Sequence, residues 1–165
     1  LERKIEVRIK GAKQIAIGLV LVIPLLIFST STANSSSKVS KSELNSYLKK
    51  ISKLASTEES ILNRYGNVTG DNYSDDQTTF NELRSLLPVI NKFIVKVEAI
   101  RPTNAKLYSV HKIYLSGWYK QAEAMSIFMS ALQNGDYSKM AQGNRVLSQG
   151  RSKMIDYQAA IQALS

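Results

Sequence analysis

Few residues in this sequence have the type and spacing to do chemistry: a single histidine, a cluster of aspartates, and two glutamates near apolar helical faces. His111 stands among Tyr108, Tyr114, Trp118 and Tyr119, and an imidazole beside aromatic rings can bind a ligand or partner, or sense pH. At helical spacing the same side chains also fill cores, with the imidazole as a hydrogen-bonded packing residue. His111, Tyr114 and Trp118 are therefore the candidates for ligand or partner contact. Asp71, Asp75 and Asp76, with Asn67 and Asn72, have the composition of a calcium loop. They lack the glycine and terminal glutamate at the positions an EF-hand requires, and helix capping accounts for them better. Glu58 and Glu123 are the acids placed to project inward. With no Glu-x-x-His pattern anywhere, they do not make a carboxylate-bridged di-metal site. No catalytic, cofactor-binding or metal-ligating residue is expected, and no cofactor.

Cysteine is absent, which excludes disulfides, thiolate metal sites, a cysteine nucleophile and a lipidated cysteine anchor together. The Asn-x-Ser/Thr sequons at Asn34, Asn67 and Asn72 matter where a host glycosylates exported proteins. The formal charge of +9 includes a basic tail, with Arg3, Lys4, Arg8, Lys10 and Lys13 against Glu2 and Glu6. The rest is spread along the chain, as at Lys49, Lys50 and Lys53 and at Lys92 and Lys96. An evenly basic surface suits anionic lipid or wall polymers. Nucleic acid is not expected, since there is neither a binding motif nor a concentrated basic stripe.

The elements that must position these residues begin with a membrane signal. Residues 15–28, IAIGLVLVIPLLIF, carry no charge and are extended to residue 33 by Ser, Thr and Ala. As a helix the apolar core covers ~21 Å, short of a ~30 Å hydrocarbon layer without those flanks. A signal peptide cleaved after Ala33 and an uncleaved signal anchor both fit, and the anchor is preferred. The basic flank keeps the N-terminus inside and the remainder outside. The division expected is a basic cytoplasmic tail at 1–14, a signal anchor or signal peptide at 15–33, a Ser-rich linker at 34–41 and an extracytoplasmic domain at 42–165.

That domain reads as all-α, an antiparallel four-helix bundle. Ser40 and Glu43 stand at capping-box spacing before a first helix that runs to Gly66. Ser74 and Gln77 repeat that spacing before a second helix, which Pro88 should kink or break and Pro102 ends. Thr103 or Asn104 caps the third helix, Gly135 ends it in the left-handed region, and Asp136 caps the fourth. Within the fourth helix the core series Met140, Gly143, Leu147, Gly150, Met154 contains two glycines. Each costs about 1 kcal/mol relative to alanine, so they are expected to make room for Tyr114 and Trp118 of the third helix.

Over about residues 40 to 164 the chain resembles a loose group of small, uncharacterised exported or membrane-anchored helical-bundle proteins of Gram-positive bacteria. The resemblance lies in His111-Lys112-Ile113-Tyr114, in residues 131–136 (ALQNGD), in Gly150-Arg151 and in Asp156-Tyr157. It implies an export signal or anchor and an extracytoplasmic bundle. Many of that group carry a lipidated cysteine, which this sequence lacks. The function expected is non-enzymatic: a membrane-tethered interaction or accessory protein that meets another envelope protein or complex. The alternative is an extracytoplasmic sensory or ligand-binding bundle of a receptor fragment.

Overall fold

A computed structural model describes residues 38–165. The tail at 1–14, the apolar segment at 15–33 and the first part of the linker lie outside the described residues. Among those described, no helix is long and apolar enough to cross a membrane. The described chain is all-α: α1 (Lys41–Ser52), α2 (Ala55–Gly66), α3 (Asp76–Glu98), α4 (Ala105–Asn134) and α5 (Met140–Gln162), with short 3-10 turns at Gly70–Asn72 and Tyr137–Lys139.

The helix ends follow from local side-chain chemistry. Ser40 opens α1 with a full capping box, its Oγ accepting from the Glu43 N–H while its own N–H donates to Glu43 Oε2 at 2.9 Å. Asn104 caps α4 by accepting from the N–H groups of Lys106 and Leu107. Gly135 closes α4 at φ 63, and the Asp136 N–H reaches back to the Ala131 carbonyl at 2.9 Å.

Four expectations need correction. The first helix is two, interrupted at Lys53 and Leu54, where the Leu54 N–H turns back to the Ile51 carbonyl at 2.8 Å. No proline or glycine marks this break. The cap of α3 is Asp75, not Ser74: Asp75 takes the Thr78 N–H at 2.8 Å and the Thr78 hydroxyl at 2.7 Å, and Ser74 donates to Asp75. Pro88 lies inside α3 without interrupting it. It sits on the exposed face, as does Arg84 one turn earlier, so solvent can take the carbonyl that the ring leaves without a donor. Asp136 makes no side-chain cap on α5 and instead accepts from the Ser138 hydroxyl.

Consecutive long helices run in opposite directions, as their contacts show. From α4 to α5, Tyr114 meets Tyr157, Gly117 meets Met154 and Phe128 meets Gly143. From α3 to α4, Phe93 meets Trp118 with ring centroids 4.6 Å apart, and Asp76 meets Tyr137 beyond the far end of α4. From α2 to α3, Arg64 pairs with Glu82 at 2.6 Å. Across the bundle, α1 and α2 run alongside α4, with Tyr47 at His111 and Glu58 at Tyr114. One core of Trp118, Phe93, Phe128, Leu86, Ile61 and Leu147, among others, holds all five helices.

The small residues between α4 and α5 set how closely the two helices approach. A Cβ added to Gly150 would lie 3.2 Å from the Gly117 carbonyl oxygen, and one added to Gly117 would lie 3.3 Å from the Gly150 carbonyl oxygen. The two backbones therefore meet at a glycine pair. At Gly143 the space is filled by Phe128, whose ring would lie 2.3 Å from an added Cβ. Tyr114 and Trp118 do not fill these gaps: Tyr114 packs on Tyr157, and Trp118 turns to Phe93 on α3.

Gly150→Leu is expected to overpack this crossing by about 1–3 kcal/mol. Gly150→Ala should cost less, because a helix-propensity gain of about 1 kcal/mol offsets a contact with a backbone oxygen that cannot move aside. Thermal melting by circular dichroism reads both. An unchanged melting temperature for the leucine variant would mean that the crossing is looser than these distances.

Candidate functional site

The three candidate contact residues converge on the interior, not on a surface. His111, Tyr114 and Trp118 are buried, at 2 %, 0 % and 0 % exposure. Around them α1, α2, α4 and α5 gather Tyr47, Glu58, Gln121 and Tyr157 into a polar seam inside the core. Tyr47 Oη is 3.2 Å from His111 Nδ1, with the two rings edge to face. Tyr114 donates its hydroxyl proton to Glu58 Oε2 at 3.2 Å. Burial pushes the hydroxyls of Tyr47, Tyr114 and Tyr157 well above the ordinary tyrosine value, so all three stay protonated.

Several atoms of the seam fall short of a full hydrogen bond. Tyr157 Oη lies toward Tyr47, and Trp118 Nε1 toward Tyr114, without completing one. His111 Nε2 is likewise incomplete, although the nearby Val97 carbonyl favours the protonated form. Neither amide atom of Gln121 finds a partner among the described residues. Burial outweighs the Val97 carbonyl and holds His111 below its ordinary 6.5, with Arg101 adding in the same direction.

Glu58 and Glu123 separate. Glu58 is interior, whereas Glu123 is exposed and pairs with Lys120 at 2.7 Å. Tyr108 flanks His111 from a half-buried position beneath Lys112, and Tyr119 is exposed. Among the described residues no group of acids or His111 could hold a metal ion. The seam residues that the sequence reading missed are Tyr47, Gln121 and Tyr157 in their polar role. Gln121 left a signal: it falls seven residues after Tyr114 and three after Trp118, a polar residue in an apolar stripe.

Two clefts open at opposite ends of the bundle. The far cleft, about 550 Å³, lies between the α2–α3 loop and the α4–α5 turn, with Tyr73, Phe80 and Tyr137 around Asp75 and Asp76. Tyr73 donates to Asp76 Oδ1 at 3.0 Å and Tyr137 to Asp76 Oδ2 at 2.5 Å. Burial and this bond push the Tyr73 hydroxyl up to about 12. The Thr78 backbone N–H and hydroxyl hold Asp75 below the usual carboxylate range. The near cleft, about 270 Å³, lies between α1 and the α3–α4 loop, close to Ser40, and has Lys50 and Arg101 in its wall. Comparison of the chain with protein-family profiles, with curated proteins and with solved structures finds no significant match.

Because the folded pKa of His111 is depressed, the unfolded chain takes up this proton first as pH falls. The contribution of neutral His111 to stability is complete above about 6.5 and is lost as pH drops below that value. Melts between about pH 7.5 and pH 5.5 should show the wild type losing more stability than His111→Gln. Parallel curves would mean that His111 is already solvated in the folded state.

Two further substitutions separate satisfied from unsatisfied polar atoms. Tyr114→Phe removes a donor from a buried carboxylate and should cost about 1.5–3 kcal/mol. Gln121→Met keeps the shape, removes two amide atoms without partners, and should leave the melting temperature unchanged or raise it. A large loss for the Gln121 variant would show that its amide is satisfied in solution.

Proposed function

We propose that this chain is a non-enzymatic, membrane-tethered interaction protein whose extracytoplasmic bundle presents its far end to another protein or complex of the cell envelope. In this reading residues 15–33 hold the chain in the membrane and the Ser-rich segment spaces it from the surface. The bundle has four antiparallel layers, with α1 and α2 sharing one. Ser40 begins α1 at the near end, so the tether and the far cleft are at opposite ends of the molecule.

The observation that carries this reading is the far cleft. Three aromatic rings surround a carboxylate there, and no Lys or Arg lines the cleft. Aromatic faces and a carboxylate together favour a cationic side chain of a partner through cation–π and charge-assisted contacts. The residues first suspected of partner contact are packed inside, which directs attention to the loops at this end.

The test is site-specific photocrosslinking of the full chain in native membranes. A crosslinker at Gln77 or Gln133, both at the far cleft, should give a discrete adduct; one at the exposed Ile155 on α5 should not. The adduct should fall about tenfold with Phe80→Ala, as for the loss of an interface anchor worth more than 1 kcal/mol. Equal adducts from all three positions, or none from Gln77 and Gln133, would remove this end of the bundle from the interaction.

A further inference from the structure

The charge of the bundle, which looked evenly spread in the sequence, is sorted by the fold. At the near end lie Lys38, Lys41, Lys50, Arg101 and Lys106, all exposed and none in an ion pair among the described residues. Two carboxylates lie among them: Glu43, held by the N–H and hydroxyl of Ser40, and Glu98 at the end of α3, which accepts from the Tyr119 hydroxyl. At the far end lie Asp71, Asp75, Asp76 and Asp136, against Lys139, which pairs with Asp136 at 3.4 Å, with Arg64 paired to Glu82 and Arg145 in the second turn of α5 nearby. The near end is cationic and the far end anionic.

We propose that the near end is a docking face for an anionic lipid surface, and that the cleft between α1 and the α3–α4 loop receives a lipid headgroup phosphate. In the wall of the cleft Lys50 supplies a point charge, Arg101 a planar fork of donors, and Ser42, Ser46 and Thr103 hydroxyl groups, while the one carboxylate of the lining, Glu43, is engaged by the N–H and hydroxyl of Ser40. Its chemistry is opposite to that of the far cleft, so an anionic surface attracts one end of the molecule and repels the other. The Debye length is about 8 Å at physiological salt, so only the residues of the end that faces the membrane feel its potential strongly.

The choice of a lipid surface rests on the tethered reading proposed above. Eleven residues separate Phe28, the last of the apolar run, from Ser40. Even fully extended they span no more than about 40 Å, and Ser40 sits at the cationic end. The tether thus brings to the bilayer the one face whose charge complements it. Docking would hold the bundle upright, with its far cleft directed away from the membrane.

The chain contains no cysteine, so a single introduced cysteine carries an unambiguous probe. The full chain, labelled at Asn45→Cys, exposed on α1 outside the cleft, or at Gln133→Cys, is reconstituted into phosphatidylcholine vesicles with or without phosphatidylglycerol and with a headgroup-attached quencher. Quenching at position 45 is expected to rise at least about twofold with the anionic lipid, and to return to the neutral-lipid level at about 1 M salt, where the Debye length is about 3 Å. Position 133 should not respond. Lys50→Glu/Arg101→Glu/Lys106→Glu should abolish the rise, and the same three changes to Gln should reduce it, with circular dichroism confirming that each variant is folded.

Equal quenching in the two lipids, or a rise that survives charge reversal, would overturn the proposal, leaving the tether alone to place the bundle. A response that requires added soluble polyglycerol phosphate would identify a wall polymer instead and overturn it equally. If the full chain is washed off neutral vesicles by alkaline carbonate, the tethered reading fails by itself. Docking is then judged by flotation: capture by anionic vesicles at low salt and release at high salt supports it, and no capture overturns it.

Discussion

Where α4 and α5 cross, the Gly117 and Gly150 backbones stand so close that a Cβ on either would press on the other's carbonyl oxygen at 3.2–3.3 Å. A helix pair packed this closely has little freedom to slide, because any shift drives a backbone oxygen into a neighbouring residue. The crossing fixes the register along the pair, from Tyr114 against Tyr157 at one end to Phe128 over Gly143 at the other. It also fixes which face of α4 remains for the other helices. Trp118 is turned to Phe93 of α3, and His111 and Tyr114 to the arm made by α1 and α2.

That arm closes over a seam that a purely apolar core would not contain. Buried polar atoms are costly unless paired, and a half-satisfied network is less stable than hydrocarbon of the same shape. In return, such groups accept few alternative arrangements. Tyr47 must find His111 and Glu58 must find Tyr114 for the arm to seat, so the seam sets one position for α1 and α2 on α4. The interruption at Lys53 and Leu54 belongs to the same arrangement, since it divides the arm into a segment that brings Tyr47 inward and one that brings in Glu58.

The same packing gives the bundle two unlike ends. Helix direction alone decides that the α1 start and the α3–α4 loop share one end, while the α2–α3 loop and the α4–α5 turn share the other. Lys38, Lys41, Lys50, Arg101 and Lys106 thereby gather at one pole, and Asp71, Asp75, Asp76 and Asp136 at the other. In the proposed orientation the cationic pole faces the lipid and the aromatic, acidic pole faces outward, so tethering and presentation are consequences of one topology.

Sequence by itself determined the all-α class of the described chain and the caps at Ser40 and Gly135, and narrowed the cap of α4 to Thr103 or Asn104, because helix periodicity and capping depend on residues within a turn or two of each other. It also marked Gly143 and Gly150 as out of place in an apolar stripe. The break at Leu54 carries no local sign, and Pro88 marked a possible break that α3 does not have, since the exposure that makes its missing hydrogen bond tolerable is a property of the packed helix. Glu58 and Glu123 are alike as sequence, yet one is buried with Tyr114 and the other lies in solvent with Lys120. The partners of the glycines, the burial of His111 and the sorting of charge to the two poles were likewise decided only by tertiary structure. Each depends on which residues distant in the chain are brought within a few ångströms, and no local rule of propensity or periodicity contains that distance.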